Sequence, residues 1–196
     1  YGYGILGATH HNLEDIGAMR ILPNMKVYVP FLATDVEQAV DHMLSNTQPN
    51  YLRLNVGAKI PQAVGPFSAW RKIKDGTKGV VIGTGPVLES LCNSPLADEL
   101  EIWVLSILPI ADMPAELVAS INKTGKLITV EEHYGECGLR ETISFHIINK
   151  LDRGIQMLSL SAGGYPSGKY GDQKWHQAEN NLSGEGLIKS LTSFLK

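Results

Sequence analysis

The sequence predicts an α/β protein in which a partial α/β domain is followed by a mostly parallel, three-layer domain. Short valine- and isoleucine-rich segments alternate with segments of helical periodicity over the second part of the chain. Such alternation is typical of a parallel sheet covered by helices on both faces. A glycine- and proline-rich stretch separates this part from a first part that has too few elements to close a core alone.

The first part, residues 1–62, is predicted to be the end of an α/β domain. Its first helix is expected to have Asn12 as its cap, Glu14 and Asp15 at its positive end, and Pro23 as its stop. The next three elements are a strand at 26–30, a helix that starts with the capping box Thr34–Glu37, and a strand at 51–54.

Residues 63–77 are predicted to be a linker or a crossing loop, because glycines and prolines occur there without a clear hydrophobic period. Residues 78–196 are predicted to form the second domain. Its strands are expected at 79–83, 101–108, 126–130 and 155–160, and its helices at 86–93, 112–125, 139–151 and close to the last residue.

The composition disfavours several classes of partner. A net charge of −3 gives no polycationic surface for nucleic acid. No apolar run approaches the length of a membrane span, and no signal-peptide pattern occurs. Cys92 and Cys137 show no metal-ligand spacing and fit a reducing compartment. A cytoplasmic protein without a nucleic-acid or membrane partner is therefore predicted.

The chain opens with YGYGILGATHH, in which Gly2, Gly4 and Gly7 match the G-x-G-x-x-G pattern of dinucleotide-binding loops. That pattern requires a strand before it and a helix directly after it. Here two histidines intervene before the helix. A second near-match, Gly83-Thr84-Gly85, follows a predicted strand but lacks the third glycine. The first segment is interpreted as a flexible loop that enters a helix and the second as a tight βα turn, and neither as a nucleotide site.

His10 and His11 precede the first predicted helix and admit three interpretations. A metal site is disfavoured, because H-E-x-x-H and C-x-x-C patterns are absent and adjacent side chains point apart. An exposed pair without a role is the second. We favour the third, in which imidazoles beside a helix N-terminus donate to an anion or to a developing oxyanion. No metal ligand is predicted.

Two further polar groups leave alternatives open. Glu131, Glu132 and His133 end a predicted strand, where paired carboxylates with a histidine could perform acid–base chemistry, with Cys137 as a further candidate ligand. We favour the alternative that this turn stabilises the structure or contacts another subunit. Arg53, within YLRLN, is either a solvated residue or a fixed cation that suits a phosphate.

The segment GATHHNLEDIGAMRILPNMKVYVPFLATDVEQAV, residues 7–40, resembles the second half of the pyrimidine-binding domain of transketolase-like thiamine diphosphate enzymes. The match has no gaps and includes the family's T-H-[QH], E-D and R-x-[IL]-P pattern. YLRL is similar to the next family strand, which carries an arginine. VVIGTGPVLESL, LITVEEHYGECGLRETI and NNLSGEGLIKSL are similar to the family's C-terminal domain. The resemblance thus spans nearly the whole chain.

The resemblance implies roles for three residues. His10 matches the family histidine that faces the thiazolium and the sugar, so it is implied to be catalytic and to bind the donor carbonyl or the intermediate's oxygen. His11 lies where many members have glutamine and is implied to bind substrate. Arg53 matches the strand arginine that contacts substrate phosphate in transketolases. The implied reaction moves a two-carbon ketol unit between sugar phosphates, and thiamine diphosphate supplies the ylid.

The family's diphosphate and Mg²⁺ motif, G-D-G followed by an asparagine, is not found in these 196 residues. Neither is the family's glutamate that protonates the aminopyrimidine, so no cofactor-binding residue is assigned. The chain is expected to be the C-terminal portion or subunit of a longer enzyme that uses thiamine diphosphate and Mg²⁺, and to be inactive alone. The expected partners are a missing upstream domain or separate N-terminal subunit, and a second copy in a homodimer.

Other members of the same group of enzymes stay open as alternatives. The parent could be a 1-deoxyxylulose-5-phosphate synthase or the β subunit of a 2-oxo-acid dehydrogenase. Arg53 argues against the dehydrogenase, because a guanidinium suits a phosphorylated sugar better than a branched-chain acid. A further alternative is a non-catalytic assembly module, since the family's C-terminal domain mainly builds the dimer.

Overall fold

The computed structural model describes residues 1–196 and confirms the predicted α/β class. The strands are Lys26–Tyr28 (β1), Asn50–Leu52 (β2), Trp70–Lys74 (β3), Val80–Thr84 (β4), Glu101–Leu105 (β5), Ile107–Leu108 (β6), Lys126–Tyr134 (β7) and Gln156–Ala162 (β8). The α-helices are Asp15–Arg20 (α1), Asp35–Leu44 (α2), Glu89–Cys92 (α3), Ala115–Thr124 (α4), Leu139–Ile147 (α5), Gln173–Glu179 (α6) and Gly184–Leu195 (α7). None of the helices combines the length and the apolar character that a membrane crossing requires.

The larger sheet has the strand order β3-β5-β4-β7-β8. β4 is parallel to β5 and β7, β7 is parallel to β8, and only the edge strand β3 is antiparallel. Successive residues of β4 enter different cores: Val81 belongs to one apolar cluster, whereas Val80 and Ile82 belong to another. Because side chains alternate along a strand, both faces of this sheet are buried. The predicted mostly parallel sheet is confirmed.

Helices cover both faces of this sheet. Leu117 of α4 and Ile143 of α5 share the cluster of Ile82. Leu91 of α3 and Leu187 of α7 share the cluster of Val81. The predicted three-layer arrangement is therefore confirmed, with the amphipathic helices supplying one apolar stripe each to a common core.

The smaller sheet has the order β2-β1-β6, and its third strand comes from the second part of the chain. β1 pairs parallel with β2 and antiparallel with β6, where Val27 lies opposite Leu108. The strand expected at 101–108 is thus interrupted at Ser106, whose main-chain oxygen accepts from Val29 N at 2.9 Å. The second part of the chain thereby supplies the edge strand that the first part lacks.

Two local features differ from what the sequence predicts. The segment predicted as a linker contains β3, and Arg71 of β3 points inward, 5% exposed, to pair with Asp35. A charged residue on the buried face hides the alternation that would have predicted the strand. Thr34 makes no capping hydrogen bond; Asp35 instead accepts from Phe31 N and Leu32 N, both at 2.9 Å.

The first part of the chain covers the carboxyl ends of the central strands. Gly85 follows β4 with φ +72°, and a Cβ there would lie 3.0 Å from Val29. Beyond β7, Tyr134 N donates to Leu13 O at 2.8 Å, and Gly17 N donates to a ring nitrogen of His133 at 3.1 Å. The first part of the chain therefore contacts the carboxyl ends of β4 and β7, the edge of the sheet where ligands bind in many α/β folds.

Candidate functional site

A cleft of about 540 Å³ is formed by the first part of the chain. Its walls come from the first three residues, the turn before α1, the start of α1, and the chain that follows β2. The three residues singled out in the sequence, His10, His11 and Arg53, all line it. The structure thus brings together side chains that the sequence placed on separate segments.

His10 is exposed at the cleft and belongs to a turn that begins at Gly7. The main-chain N–H groups of His10 and His11 both donate to Gly7 O, at 2.9 and 3.1 Å. Gly7 has φ +71°, a conformation that favours glycine, and it starts this turn. His10 Nδ1 lies 2.9 Å from Thr9 Oγ1. This contact orients the ring, and Nε2 makes no hydrogen bond within the chain.

His11 lies in a different environment from its neighbour. Its Nδ1 is 2.8 Å from the hydroxyl of Tyr165, and the two rings are stacked with centroids 5.7 Å apart. Its Nε2 is buried and has no hydrogen-bond partner. Burial lowers the pKa of His11, so the ring is held neutral. His11 is therefore anchored in the wall, whereas His10 presents a free ring nitrogen.

Arg53 is fixed by three contacts. Its Nε pairs with Asp15 Oδ2 at 3.0 Å, and its Nη2 donates to Asn12 O at 2.8 Å and to Glu132 O at 2.9 Å. Nη1 makes no hydrogen bond within the chain. The guanidinium is thus an oriented cation, 10% exposed, that lines the cleft with one nitrogen still available.

Asp15 and Tyr51 are site residues that the sequence interpretation missed. Asp15 was expected only to favour the start of α1, but it is 4% exposed and accepts the Tyr51 hydroxyl at 2.8 Å. Burial and this hydrogen bond raise the pKa of Tyr51 to about 12. Asn12 was expected to cap this helix. The cap position is instead occupied by Glu14, whose side chain makes no capping hydrogen bond. No local pattern distinguishes Asp15 from the many acidic residues at helix starts.

The buried segment Glu131-Glu132-His133 joins the two parts of the chain. Glu132 accepts from Asn55 Nδ2 at 3.2 Å and from Gln177 Nε2 at 2.6 Å. His133 has both ring nitrogens engaged, one with Tyr134 O at 2.7 Å and one with the main chain of α1. These contacts support the structural alternative over acid–base chemistry, because neither ring nitrogen of His133 is free to move a proton.

Cys137, considered as a further ligand, is exposed and unpaired. The chain contains no group of three or more His, Cys, Asp or Glu side chains that could hold a metal ion. Cys137 has φ +56°, an uncommon conformation for a residue with a side chain. Its Cβ lies against α1, where a Cβ on Gly17 would approach it to 3.0 Å. Cys137 therefore packs on the first helix and belongs to no ligand set.

Glu131 caps α5 from inside the protein. Its Oε2 accepts from Leu139 N at 2.7 Å, and its Oε1 is buried without a partner. Burial raises the pKa of this carboxyl from 4.5 to about 7, although the hydrogen bonds from the start of α5 oppose the shift. An acid whose pKa is raised by folding binds its proton more tightly in the folded state.

We expect Glu131 to make the protein less stable as the pH rises. Its contribution is fully present below the unfolded pKa of 4.5 and is lost as the pH passes through about 7. The shift corresponds to about 3 kcal/mol in the free energy of unfolding. Urea unfolding of the wild type and E131Q between pH 5 and 8 measures the difference. E136Q, which alters an exposed carboxylate, is the control; parallel wild-type and E131Q curves would contradict the assignment.

Two protein-family models match this chain, one in each of its two parts. The family model for the transketolase pyrimidine-binding domain matches residues 1–58, and the model for the transketolase C-terminal domain matches residues 68–178. The chain belongs to the transketolase family. This is a thiamine diphosphate-dependent family, and the match extends over both parts of the fold described above.

Curated relatives of the family include subunits and longer enzymes. The chain is 26% identical to an apulose-4-phosphate transketolase subunit of Phocaeicola vulgatus, over 99% of this chain and 64% of that protein. It is 25% identical to the corresponding apulose-4-phosphate transketolase subunit of Actinobacillus succinogenes, over 95% and 62%. It is 29% identical to the 1-deoxy-D-xylulose-5-phosphate synthase of Thermus thermophilus, over 97% and 31%. The chain thus spans less than two thirds of the length of these relatives.

Solved transketolases share the fold. A structure described as a split gene transketolase, inactive beta4 tetramer, superposes with a TM-score of 0.75 at 21% identity, over 95% of this chain and 62% of that one. A transketolase from Leishmania mexicana superposes with a TM-score of 0.72 at 16% identity, over 99% and 28%. Both superpositions cover nearly all of this chain and therefore include both parts of the fold.

Proposed function

We propose that the chain is the C-terminal portion or subunit of a transketolase that moves a two-carbon ketol unit between sugar phosphates. The cleft of about 540 Å³ is its share of the active site. The observation that carries the proposal is the presence of a free imidazole edge, on His10, and an oriented guanidinium, on Arg53, in the wall of that one cleft. A carbonyl oxygen and a phosphate are the substrate groups that suit these two donors.

Arg53 is proposed to bind the substrate phosphate through Nη1. Its other contacts, to Asp15 and to two main-chain oxygens, hold the planar group in one orientation before substrate arrives. Preorganised donors cost less to order on binding than mobile ones. A charge-assisted hydrogen bond from a fixed arginine is also stronger than one between neutral groups.

His10 is proposed to donate from Nε2 to the donor carbonyl or to the oxygen that becomes charged. The Thr9 hydroxyl, 2.9 Å from Nδ1, orients the ring for this contact. A donor that is fixed where charge develops stabilises the transition state more than the ground state. His10 is accordingly assigned the catalytic role, and His11 supports the wall of the substrate site.

The cleft fits the substrate end of a thiamine diphosphate site but not its diphosphate end. It contains no cluster of metal-ligating side chains, and Arg53 is its one cationic side chain with a free donor. We therefore assign no residue of this chain to the diphosphate or to Mg²⁺, and we propose that both are bound by residues outside these 196. The chain's own residues bind and orient the sugar.

A second polypeptide or an upstream domain is proposed to cover the cleft. Three apolar side chains that line it have more than half of their surface exposed: Tyr3, Leu54 and Val56. Ile5 and Leu6, which follow Tyr3 in the chain, are also more than half exposed. An exposed apolar group of this kind often marks a contact surface. The two apulose-4-phosphate relatives are named as subunits, which supports a separate partner subunit here. A homodimer and inactivity of the isolated chain belong to the same proposal.

Further parts of the proposal concern organisation and location. We propose the domain boundaries 1–62, 63–77 and 78–196, with β3 as an edge strand that the connecting segment contributes to the second domain. We also propose a cytoplasmic location, since neither Cys92 nor Cys137 is in a disulfide.

A 1-deoxyxylulose-5-phosphate synthase is the second candidate function. The 29% identity to the Thermus thermophilus enzyme favours it as much as the subunit relatives favour a transketolase. Arg53 suits the phosphorylated sugar of either reaction. Formation of 1-deoxyxylulose 5-phosphate by the assembled enzyme, without ketol transfer between sugar phosphates, would decide for this candidate.

We expect R53A in the assembled enzyme to weaken binding of a phosphorylated ketose about tenfold or more. The loss of a charged hydrogen bond corresponds to about 1.5–3 kcal/mol. An unphosphorylated analogue of the same ketose should lose much less. Steady-state kinetics with both donors measures the difference.

R20A is the matched control for Arg53. Arg20 lies on α1, contacts Thr142 of α5 and does not line the cleft. It should leave the preference for the phosphorylated donor unchanged. An equal loss toward both donors in R53A would assign Arg53 a purely structural role and would favour a non-catalytic assembly module.

A further inference from the structure

The loop at residues 163–172, between β8 and α6, brings the second part of the chain to the candidate site. Two of its tyrosines contact the turn that holds His10 and His11. Tyr165 contacts His11 through its hydroxyl and its ring. Tyr170 packs on Gly7, where an added Cβ would lie 2.9 Å from its ring. The two tyrosine rings are themselves in contact, with centroids 5.1 Å apart.

The hydrogen bond between Tyr165 and His11 joins a protonated hydroxyl to a neutral ring. Burial raises the pKa of the Tyr165 hydroxyl and lowers the pKa of His11, so that the hydroxyl keeps its proton and the ring is neutral. A neutral imidazole has one acceptor nitrogen. At 2.8 Å the hydroxyl either donates to Nδ1, which leaves the ring proton on Nε2, or accepts from a proton on Nδ1.

The rest of the surroundings favours the first arrangement, with the ring proton on Nε2. Tyr1 and His176 both lie perpendicular to the His11 ring, with centroids 5.3 and 5.0 Å away. A perpendicular arrangement allows the positive edge of one ring to face the negative face of another. His11 Nε2 is buried there and has no conventional acceptor. The Tyr165 hydroxyl is thus the only side-chain hydrogen-bond partner of the His11 imidazole.

Anchoring His11 also fixes His10. The main-chain N–H groups of both residues donate to the same oxygen of Gly7. A change in the main-chain conformation of this turn would therefore move both His10 and the His11 ring. His10, to which the catalytic role is assigned above, is exposed, and the half-buried His11 beside it defines its position.

We propose that Tyr165 is a positioning residue for this active site: its hydroxyl holds His11 in the Nε2–H tautomer and thereby fixes His10 at the cleft. This rests on the function proposed above. It gives the C-terminal domain a part in catalysis that does not require contact with substrate.

The tautomer of His11 tests the hydrogen bond without any activity measurement. ¹⁵N-histidine spectra of the full-length protein should show wild-type His11 in one form, with the proton on Nε2. Y165F, which keeps the ring and removes the hydroxyl, should give a mixture of tautomers. Y170F is the control, because the Tyr170 hydroxyl is exposed and makes no hydrogen bond within the chain. An Nδ1–H form in the wild type, or an unchanged His11 in Y165F, would overturn the proposal.

Kinetics of the assembled enzyme tests the consequence. Y165F should lower kcat up to about tenfold, the loss that one neutral hydrogen bond accounts for, with KM for the ketose phosphate within about twofold. Y170F should match the wild type. If H10A lowers kcat but Y165F behaves as Y170F, the positioning role is wrong while the proposed function stands. If H10A has no effect on kcat, the proposed function itself fails, whatever the spectra show.

Discussion

Removing the positive charge of Arg71 is expected to lower the free energy of unfolding by about 3–5 kcal/mol, as breaking a buried ion pair does. Arg71 and Asp35 are 5% and 1% exposed, and Nη1 and Nη2 bind the two carboxylate oxygens at 2.7 and 2.5 Å. R71M would leave the carboxylate buried without its cation. Because the pair ties α2 to β3, we also expect the segment between them to lose its order. Urea unfolding at neutral pH gives the free energy directly.

A double-mutant cycle separates the pair from its surroundings. D35N removes the charge but keeps an oxygen for the main-chain N–H groups of Phe31 and Leu32. The double variant D35N/R71M should be more stable than the sum of the two single losses predicts, since it leaves no unpaired charge. K78A, which removes the exposed pair with Glu99, is the control and should cost no more than about 1 kcal/mol. Additive losses in the cycle would show that the two charges do not stabilise each other.

H10A is expected to lower kcat of the assembled enzyme by about 10²–10³, the loss typical of removing one donor to a developing oxyanion. KM should change much less, because the interaction is stronger in the transition state than in the ground state. H10Q, which restores a side-chain donor, should recover part of the rate. Single-turnover and steady-state kinetics at saturating donor measure the chemical step.

Two controls separate a catalytic role of His10 from an effect on stability. H146A removes a histidine of α5 that does not line the cleft, and it should leave kcat unchanged. Thermal unfolding of H10A should match the wild type, since His10 is exposed and its side chain contacts only the Thr9 hydroxyl and the Tyr3 ring. A loss of stability with an unchanged kcat would return His10 to a purely local role in the turn.

Much of the fold was predictable because its signals are local. The alternation of apolar strands and amphipathic helices indicated a parallel sheet covered on both faces, and the pairings of β4, β5, β7 and β8 confirm it. The edge strand β3 was missed because Arg71 occupies a buried position whose partner lies on another element. The interruption at Ser106 was missed because the apolar run continues through it, and only the pairing of β6 with β1 makes the break.

The sequence predicted which residues form the candidate site. It did not predict the environment in which each of them lies. Local motifs named His10, His11 and Arg53, and all three line one cleft. The environment of His11 depends on Tyr165, which lies 154 residues away and carries no motif of its own. Arg53 is oriented through Asp15, a residue whose type is ordinary at the start of a helix. Such contacts arise from the packing of two sheets, which no single segment encodes.

Strand β6 lies in the second part of the chain but pairs with β1 of the first part. This pairing limits which parts of the chain can be exchanged with those of a relative. A chimera that joined residues 1–62 of a homologue to the remainder of this chain would have to accept an edge strand, Ile107–Leu108, that it did not evolve with. The incoming segment would also have to supply an aspartate for Arg71 and a histidine for Tyr165. The two parts of the chain are therefore not independent units, although the sequence divides into two segments. Substitutions at these three contacts are expected to occur in pairs, with one change in each part of the chain.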